Sequence, residues 1–228
     1  MLIPSIDLMG GRIVQLERGE KLKLASDDFE YWIDRFSAYS IVQLIDLDAA
    51  MGKGENNAIV ERISQRLPVQ VGGGIRTLAR ARQVLEAGAK RLIVGSSLFR
   101  ATPQPTLVNT DFAAELATAL GADAILAGID TKAGHVTVKG WREQVELTPD
   151  AAIAELEPYC GGYLYTHVDV EGTLQGFPIA VAERLHKLTR RKLIVAGGIR
   201  AQQEIDALHV MGIDAVAGMA VYTGILKA

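Results

Sequence analysis

Short apolar runs rich in β-branched residues alternate along the whole chain with longer amphipathic stretches, the pattern of parallel strands covered by helices. The runs predict eight strands: Leu2–Ile6, Ile41–Ile45, Val69–Val71, Leu92–Val94, Ala124–Ile129, Gly162–Thr166, Leu193–Val195 and Ala215–Val216. Helical spacing predicts helices over Asp28–Ala38, Asn57–Arg66, Thr77–Ala87, Thr110–Leu120, Pro149–Glu157, Ile179–Leu188 and Ala201–Val210. In the third of these, Leu78, Val84 and Leu85 separate from Arg82, and Gly88 stands where a C-terminal cap belongs. Eight β-then-α units in 228 residues fit an α/β fold of the closed (β/α)8 TIM-barrel type. An open doubly wound sheet would carry fewer strands and one dominant phosphate turn. Ala101–Thr110, with Pro103 and Pro105, is the one candidate boundary, so residues 1–228 are expected to form a single domain.

The two halves of the chain resemble each other. Val71–Gly72–Gly73–Gly74–Ile75–Arg76 matches Val195–Ala196–Gly197–Gly198–Ile199–Arg200, 124 residues on. Val94–Gly95–Ser96 matches Ala217–Gly218–Met219, and Ile6–Asp7–Leu8 matches Ile129–Asp130–Thr131, each 123 residues on. Each aspartate is followed by a glycine-containing turn and a strand-like run, Arg12–Leu16 or His135–Lys139. Two half-barrels related by a pseudo-twofold axis explain the repetition.

In such a barrel the residues just after each strand face the ligand. Gly73 and Gly74 with Gly95 and Ser96 would form one phosphate pocket, and Gly197 and Gly198 with Gly218 and Met219 a second. Glycine lets backbone N–H groups approach a phosphate closely, and helix N-termini near Thr77, Ala201 and Ala220 would add partial positive charge. The competing reading of a lone glycine pair is a tight turn; duplication at matched spacing favours two phosphates. Asp7 and Asp130 would then end opposed strands and face each other across the mouth, where a carboxylate pair can divide acid and base work. A strand-end Asp can instead cap its own loop, and for Asp46, Asp48 and Asp169 that reading stands level with the functional one. Trp141 either stacks on a flat heterocycle or packs under its own loop. His167 follows the sixth strand and could touch substrate, His135 is a weaker candidate, and His186 and His209 fall on outer helices.

Composition narrows the partners. With 24 Lys and Arg against 27 Asp and Glu, net −3, and no long basic run, nucleic acid is not expected. No segment approaches eighteen apolar residues and the N-terminus lacks a basic, apolar leader pattern, so no membrane partner and a cytoplasmic location are expected. The single Cys160 is read as a buried bystander.

Taken in order, Ile3–Pro4–Ser5–Ile6–Asp7–Leu8, Gly72–Gly73–Gly74–Ile75–Arg76–Thr77, Asp130–Thr131–Lys132–Ala133–Gly134, Lys139–Gly140–Trp141, Gly172–Thr173–Leu174–Gln175–Gly176 and Ala196–Gly197–Gly198–Ile199 resemble one family over the whole length. It is the phosphoribosylformimino-aminoimidazole carboxamide ribotide (ProFAR) isomerase family of histidine biosynthesis. The resemblance implies an Amadori rearrangement of an aminoaldose bearing two phosphates to an aminoketose, without metal or organic cofactor. It assigns Asp130 as the general acid that opens the furanose ring, Asp7 as the base at C2 and Thr166 as an aid to ring opening, and it adds Gly176 to the substrate-binding set. A monomer is expected.

Three positions depart from the family pattern: Gln15 for a usual arginine, His167 for an aspartate and Glu171 for an aspartate before Gly-Thr. Some relatives also isomerise phosphoribosylanthranilate, with arginine at the Lys139 position; Lys139 and Gln15 together favour a single activity. Two further alternatives are the sister cyclase barrel of imidazole glycerol phosphate synthase, which the Ile3–Asp7 and Gly140–Trp141 segments disfavour, and a non-catalytic phosphosugar-binding barrel. The latter would have no use for carboxylates facing an anionic ligand.

Overall fold

The computed structural model describes residues 1–226 and is a closed (β/α)8 TIM barrel. Its wall consists of β1 (Leu2–Met9), β2 (Val42–Asp46), β3 (Val69–Gly72), β4 (Arg91–Val94), β5 (Ile125–Lys132), β6 (Gly162–His167), β7 (Lys192–Ala196) and β8 (Asp214–Ala217). Every neighbouring pair is parallel, and the ring closes where Leu2, Ile3 and Pro4 of β1 lie opposite Ala215, Val216 and Ala217 of β8. Outside run α1 (Phe29–Phe36), α2 (Asn57–Ser64), α3 (Leu78–Glu86), α4 (Thr110–Leu120), α5 (Pro149–Leu156), α6 (Ile179–His186), α7 (Gln202–Val210) and the single turn α8 (Met219–Tyr222). Several start as their residues dictate: the side chains of Asp28, Thr77 and Thr148 each accept the backbone N–H three residues on, and Pro149 follows its cap at the position that needs no N–H.

Period-two alternation divides the core into two layers. Outward residues such as Ile6, Leu8, Val69, Val71, Ala127 and Ile129 pack under the helices. Inward residues Ile3, Ile41, Ile93, Leu126, Leu164, Ile194 and Val216 fill the barrel itself. Cys160 is buried, its thiol donating to the Leu156 carbonyl. The proline-containing stretch 101–110 is the β4–α4 connection, tied down by Arg100, which donates to the carbonyls of Gln104 and Val108 and to Asn109. No helix among the described residues is long and apolar enough to cross a membrane.

β1 and β5 run farther than their apolar cores predict, because each folds back on itself: Met9 pairs with Arg12 and Lys132 with His135. Two strands fall outside the predicted runs. Lys21–Ser26 is mostly exposed and exists through its pairing with Arg12–Glu17, and Glu143–Gln144 pairs with Thr137 and Val138.

Candidate active site

The alternation that seats Ile3 at the floor of the barrel carries Ser5 and then Asp7 up the inside of β1; on β5 the same positions are Leu126, Gly128 and Asp130. Both strands therefore end in an inward carboxylate at the mouth. Asp7 and Asp130 line one cavity, open on one side, together with Thr166, Trp141, Gly73, Gly74, Gly95, Ser96 and Gly218. Of the residues expected at the site, Gly176, Gly197, Gly198 and Met219 are not among those lining it.

The two aspartates sit in different surroundings. Asp7 accepts the Ser5 hydroxyl at 2.9 Å, but burial dominates and pushes its carboxyl up to about 6. Asp130 has Gly128 below it instead of a serine, and takes its donors from the side: the Trp141 indole N–H at 2.8 Å and the Thr166 hydroxyl. Burial outweighs these too and holds Asp130 above the usual carboxylate range. Glu171, from the loop after β6, also lines the cavity, and desolvation, followed by the charges of Asp7 and Asp130, pushes it up to about 8. Three acids thus share one desolvated pocket, and Glu171 retains its proton at neutral pH.

Glu171 is the functional candidate that strand-end reasoning did not place in the site. Its signal was an acid before a glycine, Glu171–Gly172, in the loop after β6. The loop is pinned by the hairpin above β1: Arg18 N–H donates to the Glu171 carbonyl at 2.9 Å, and Gly172 (φ 68) lies so close to the Leu16 carbonyl that a Cβ would collide with it. His167, in contrast, turns away. With Thr166 facing in, its neighbour faces out, and the ring meets Tyr165 Oη at 3.2 Å and packs near Phe177. His135 stays in its own turn, facing the Ala133 carbonyl, and His186 and His209 are exposed.

Asp46, Asp48 and Asp169 organise loops. Asp46 is buried and accepts from the backbone N–H of Ala49 and Asn56, Asp48 accepts from Gly10 N–H, and Asp169 accepts from Ala133 N–H.

The glycine turns recur with nearly the same backbone angles: φ 108 and 69 at Gly73 and Gly74 against 115 and 72 at Gly197 and Gly198. Their lack of a Cβ has a structural cause as well. A Cβ on Gly73 would overlap the Asp46 carbonyl, and one on Gly197 would stand 2.5 Å from the His167 carbonyl, so each turn needs glycine to pack on the preceding loop. Gly95 differs: the nearest atom to an added Cβ is 3.9 Å away, leaving space on the cavity side. Gly95 and Gly218 each precede a single helical turn whose first N–H groups have no intrahelical acceptor. At the start of α7 an internal anion already occupies that role: Glu204 accepts from Arg200 N–H and Ala201 N–H, and from Phe177 N–H at 3.2 Å.

Trp141 closes the picture. Lys139, Gly140 and Trp141 all have positive φ (56, 67 and 66), a costly run for two side-chain-bearing residues, and it swings the indole over Asp130. The ring rests on Gly19 (φ 72), which has no room for a Cβ, and Lys139 N–H donates to Ser96 Oγ at 2.8 Å. The Lys139 side chain points to solvent and pairs with Glu143. Gln15 is buried, donating to the Ser5 carbonyl and filling the space beside Gly218.

The sequence profile of a family described as histidine biosynthesis protein matches residues 1–227. Curated relatives carry the name 1-(5-phosphoribosyl)-5-((5-phosphoribosylamino)methylideneamino) imidazole-4-carboxamide isomerase. That of Methanocaldococcus jannaschii is 34% identical, covering 99% of this chain and 95% of its own. That of Thermus thermophilus is 34% identical over 99% of this chain and 96% of its own, and that of Methanosphaerula palustris 33% over 98% and 94%.

Proposed function

The chain belongs to the histidine biosynthesis protein family, and on that footing we propose that it is an isomerase converting ProFAR, an aminoaldose with a phosphate at each end, to its aminoketose. The observation that carries the proposal is a pair of carboxylates, Asp7 and Asp130, brought to one cavity by opposed strands and held there by different partners. Unlike surroundings are how one pocket separates an acid from a base.

Asp130, whose carboxyl burial holds above the usual range, gives its proton to the ring oxygen as the furanose opens to the Schiff base, with Thr166 and Trp141 holding its carboxyl in place. Asp7, ionised above about pH 6, takes the proton from C2. The resulting enolamine tautomerises to the aminoketose, its C2 hydroxyl losing a proton and C1 gaining one, so the product is an isomer of the substrate and no external oxidant or reductant is needed. Gly73, Gly74, Gly95 and Ser96 serve one phosphate, and Gly176, Gly197, Gly198, Gly218 and Met219 the other. All of these groups come from one chain, as a monomer requires. The reaction falls among intramolecular oxidoreductases that interconvert aldoses and ketoses, and a phosphorylated substrate suits a cytoplasmic enzyme.

Purified protein assayed with ProFAR should turn it over, and Asp7→Asn and Asp130→Asn should each lose at least about 100-fold in kcat while binding stays within about tenfold. Near-normal kcat in either variant would overturn the assignment. Phosphoribosylanthranilate should not react, because neither Lys139, paired with Glu143 in solvent, nor the buried Gln15 offers the cavity a guanidinium.

A further inference from the structure

One half of the barrel interior is polar at a single level. Ser5 of β1 is the register partner of Gln43 of β2, Gln43 of Gln70 of β3, and Gln70 of Arg91 of β4. The four are also joined side chain to side chain. Arg91 donates to Gln70 Oε1 at 3.0 Å, Gln70 Nε2 to Gln43 Oε1 at 3.2 Å, Gln43 Nε2 to Ser5 Oγ at 3.4 Å, and Ser5 Oγ to Asp7 Oδ1 at 2.9 Å. Ser5, Gln43 and Gln70 are buried, while the β5–β8 half shows the interior Leu126, Leu164, Ile194 and Val216.

The direction of this belt is set by its ends. A guanidinium can only donate and an ionised carboxylate can only accept, so the two amides and the hydroxyl between them are all polarised toward Asp7. Among the described residues, no comparable donor reaches Asp7 from the other elements around it. Glu171 from the loop after β6 and Asp130 across the mouth are acids, and the Tyr222 hydroxyl from α8, which burial keeps neutral, makes no hydrogen bond to Asp7. Arg76 lines the cavity but donates to the Ala50 carbonyl.

We propose that Ser5, Gln43, Gln70 and Arg91 are positioning residues for Asp7, fixing its carboxylate and favouring the ionised form that accepts a proton from carbon. A belt that merely satisfied buried amides would affect stability alone. The proposal therefore predicts a change in the proton equilibrium of Asp7 itself, transmitted in part from Gln70 and Arg91, which do not line the cavity.

The test uses the full-length protein labelled with carbon-13 at aspartate carboxyls, the Asp7 resonance being identified by its loss in Asp7→Asn. Ser5→Ala, which removes one hydroxyl, should move the Asp7 titration and the acid limb of kcat/KM up by about one pH unit, as expected for a hydrogen bond to a charged group. Gln70→Leu should move both in the same direction by a smaller amount, and Ser5→Thr should restore both. If Gln70→Leu fails to fold, the Ser5 pair decides. A titration and acid limb unmoved in Ser5→Ala, whatever its melting temperature, would overturn the proposal. The kinetic arm rests on the isomerase reading and the spectroscopic arm does not, so a protein inert toward ProFAR would defeat that reading while the carboxyl titration still tests the belt.

Discussion

Replacing Asp7 by Asn should inactivate the protein and stabilise it at the same time, with a pH dependence of defined sign. In the folded state the Asp7 carboxyl is raised from its ordinary 3.8 to about 6, because burial disfavours the anion more than the Ser5 hydroxyl supports it. Below pH 4 the carboxyl is protonated in folded and unfolded chains alike, and it costs nothing. As pH rises from 4 to 6 the unfolded chain releases its proton first, the folded chain holds on, and stability falls. Above pH 6 the loss is complete. At about 1.4 kcal/mol for each tenfold difference it amounts to about 3 kcal/mol. Asn keeps an oxygen for Ser5 but buries an NH₂ group at a cost of about 1 kcal/mol. The net gain at pH 8 is then about 2 kcal/mol, or roughly 4–8 °C in Tm for a chain of this size. At pH 4 the same variant should be about 1 kcal/mol less stable than wild type. Denaturant unfolding of both proteins at pH 4, 5, 6 and 8 measures the difference directly. A stability difference that stays constant, or grows more unfavourable to Asn with rising pH, would refute the reasoning that burial is what loads this carboxyl.

The other sites make sharper contrasts when substituted in pairs. Trp141→Phe retains a ring against Gly19 and removes the indole N–H from Asp130; it should lower kcat about tenfold with KM within twofold, whereas Trp141→Ala should raise KM as well, and equal KM values for the two would remove any role for the ring in binding. Gly73→Ala places a Cβ on the Asp46 carbonyl at φ 108 and should cost about 3 kcal/mol or more in unfolding free energy. Gly95→Ala, with its nearest neighbour 3.9 Å away, should leave Tm almost unchanged while raising KM about tenfold as its methyl enters the phosphate space; a melting temperature that drops as far as that of Gly73→Ala would put Gly95 in the same structural class.

Why some of this was legible in the sequence follows from what alternation can specify. Once β1 and β5 are located by their apolar residues, period two assigns Asp7 and Asp130 to the inside, and the same rule applied to β6 turns His167, next to the inward Thr166, outward, against the expectation that it could touch substrate. Loops obey no such rule. Glu171 enters the cavity because Arg18 and the close approach at Gly172 pin its loop, and Lys21–Ser26 is a strand only because Arg12–Glu17 supplies a partner. The polar belt lies between these cases. Ser5, Gln43 and Gln70 each interrupt an otherwise apolar strand, and alternation alone turns them inward, but their common level depends on the register around the wall. A buried amide without a partner costs on the order of 1–3 kcal/mol, so polar residues recurring on four consecutive inward faces imply one another: each is tolerable only if the next strand supplies its partner. Followed round the wall from Arg91, that requirement has a single terminus among the described residues, the carboxylate of Asp7.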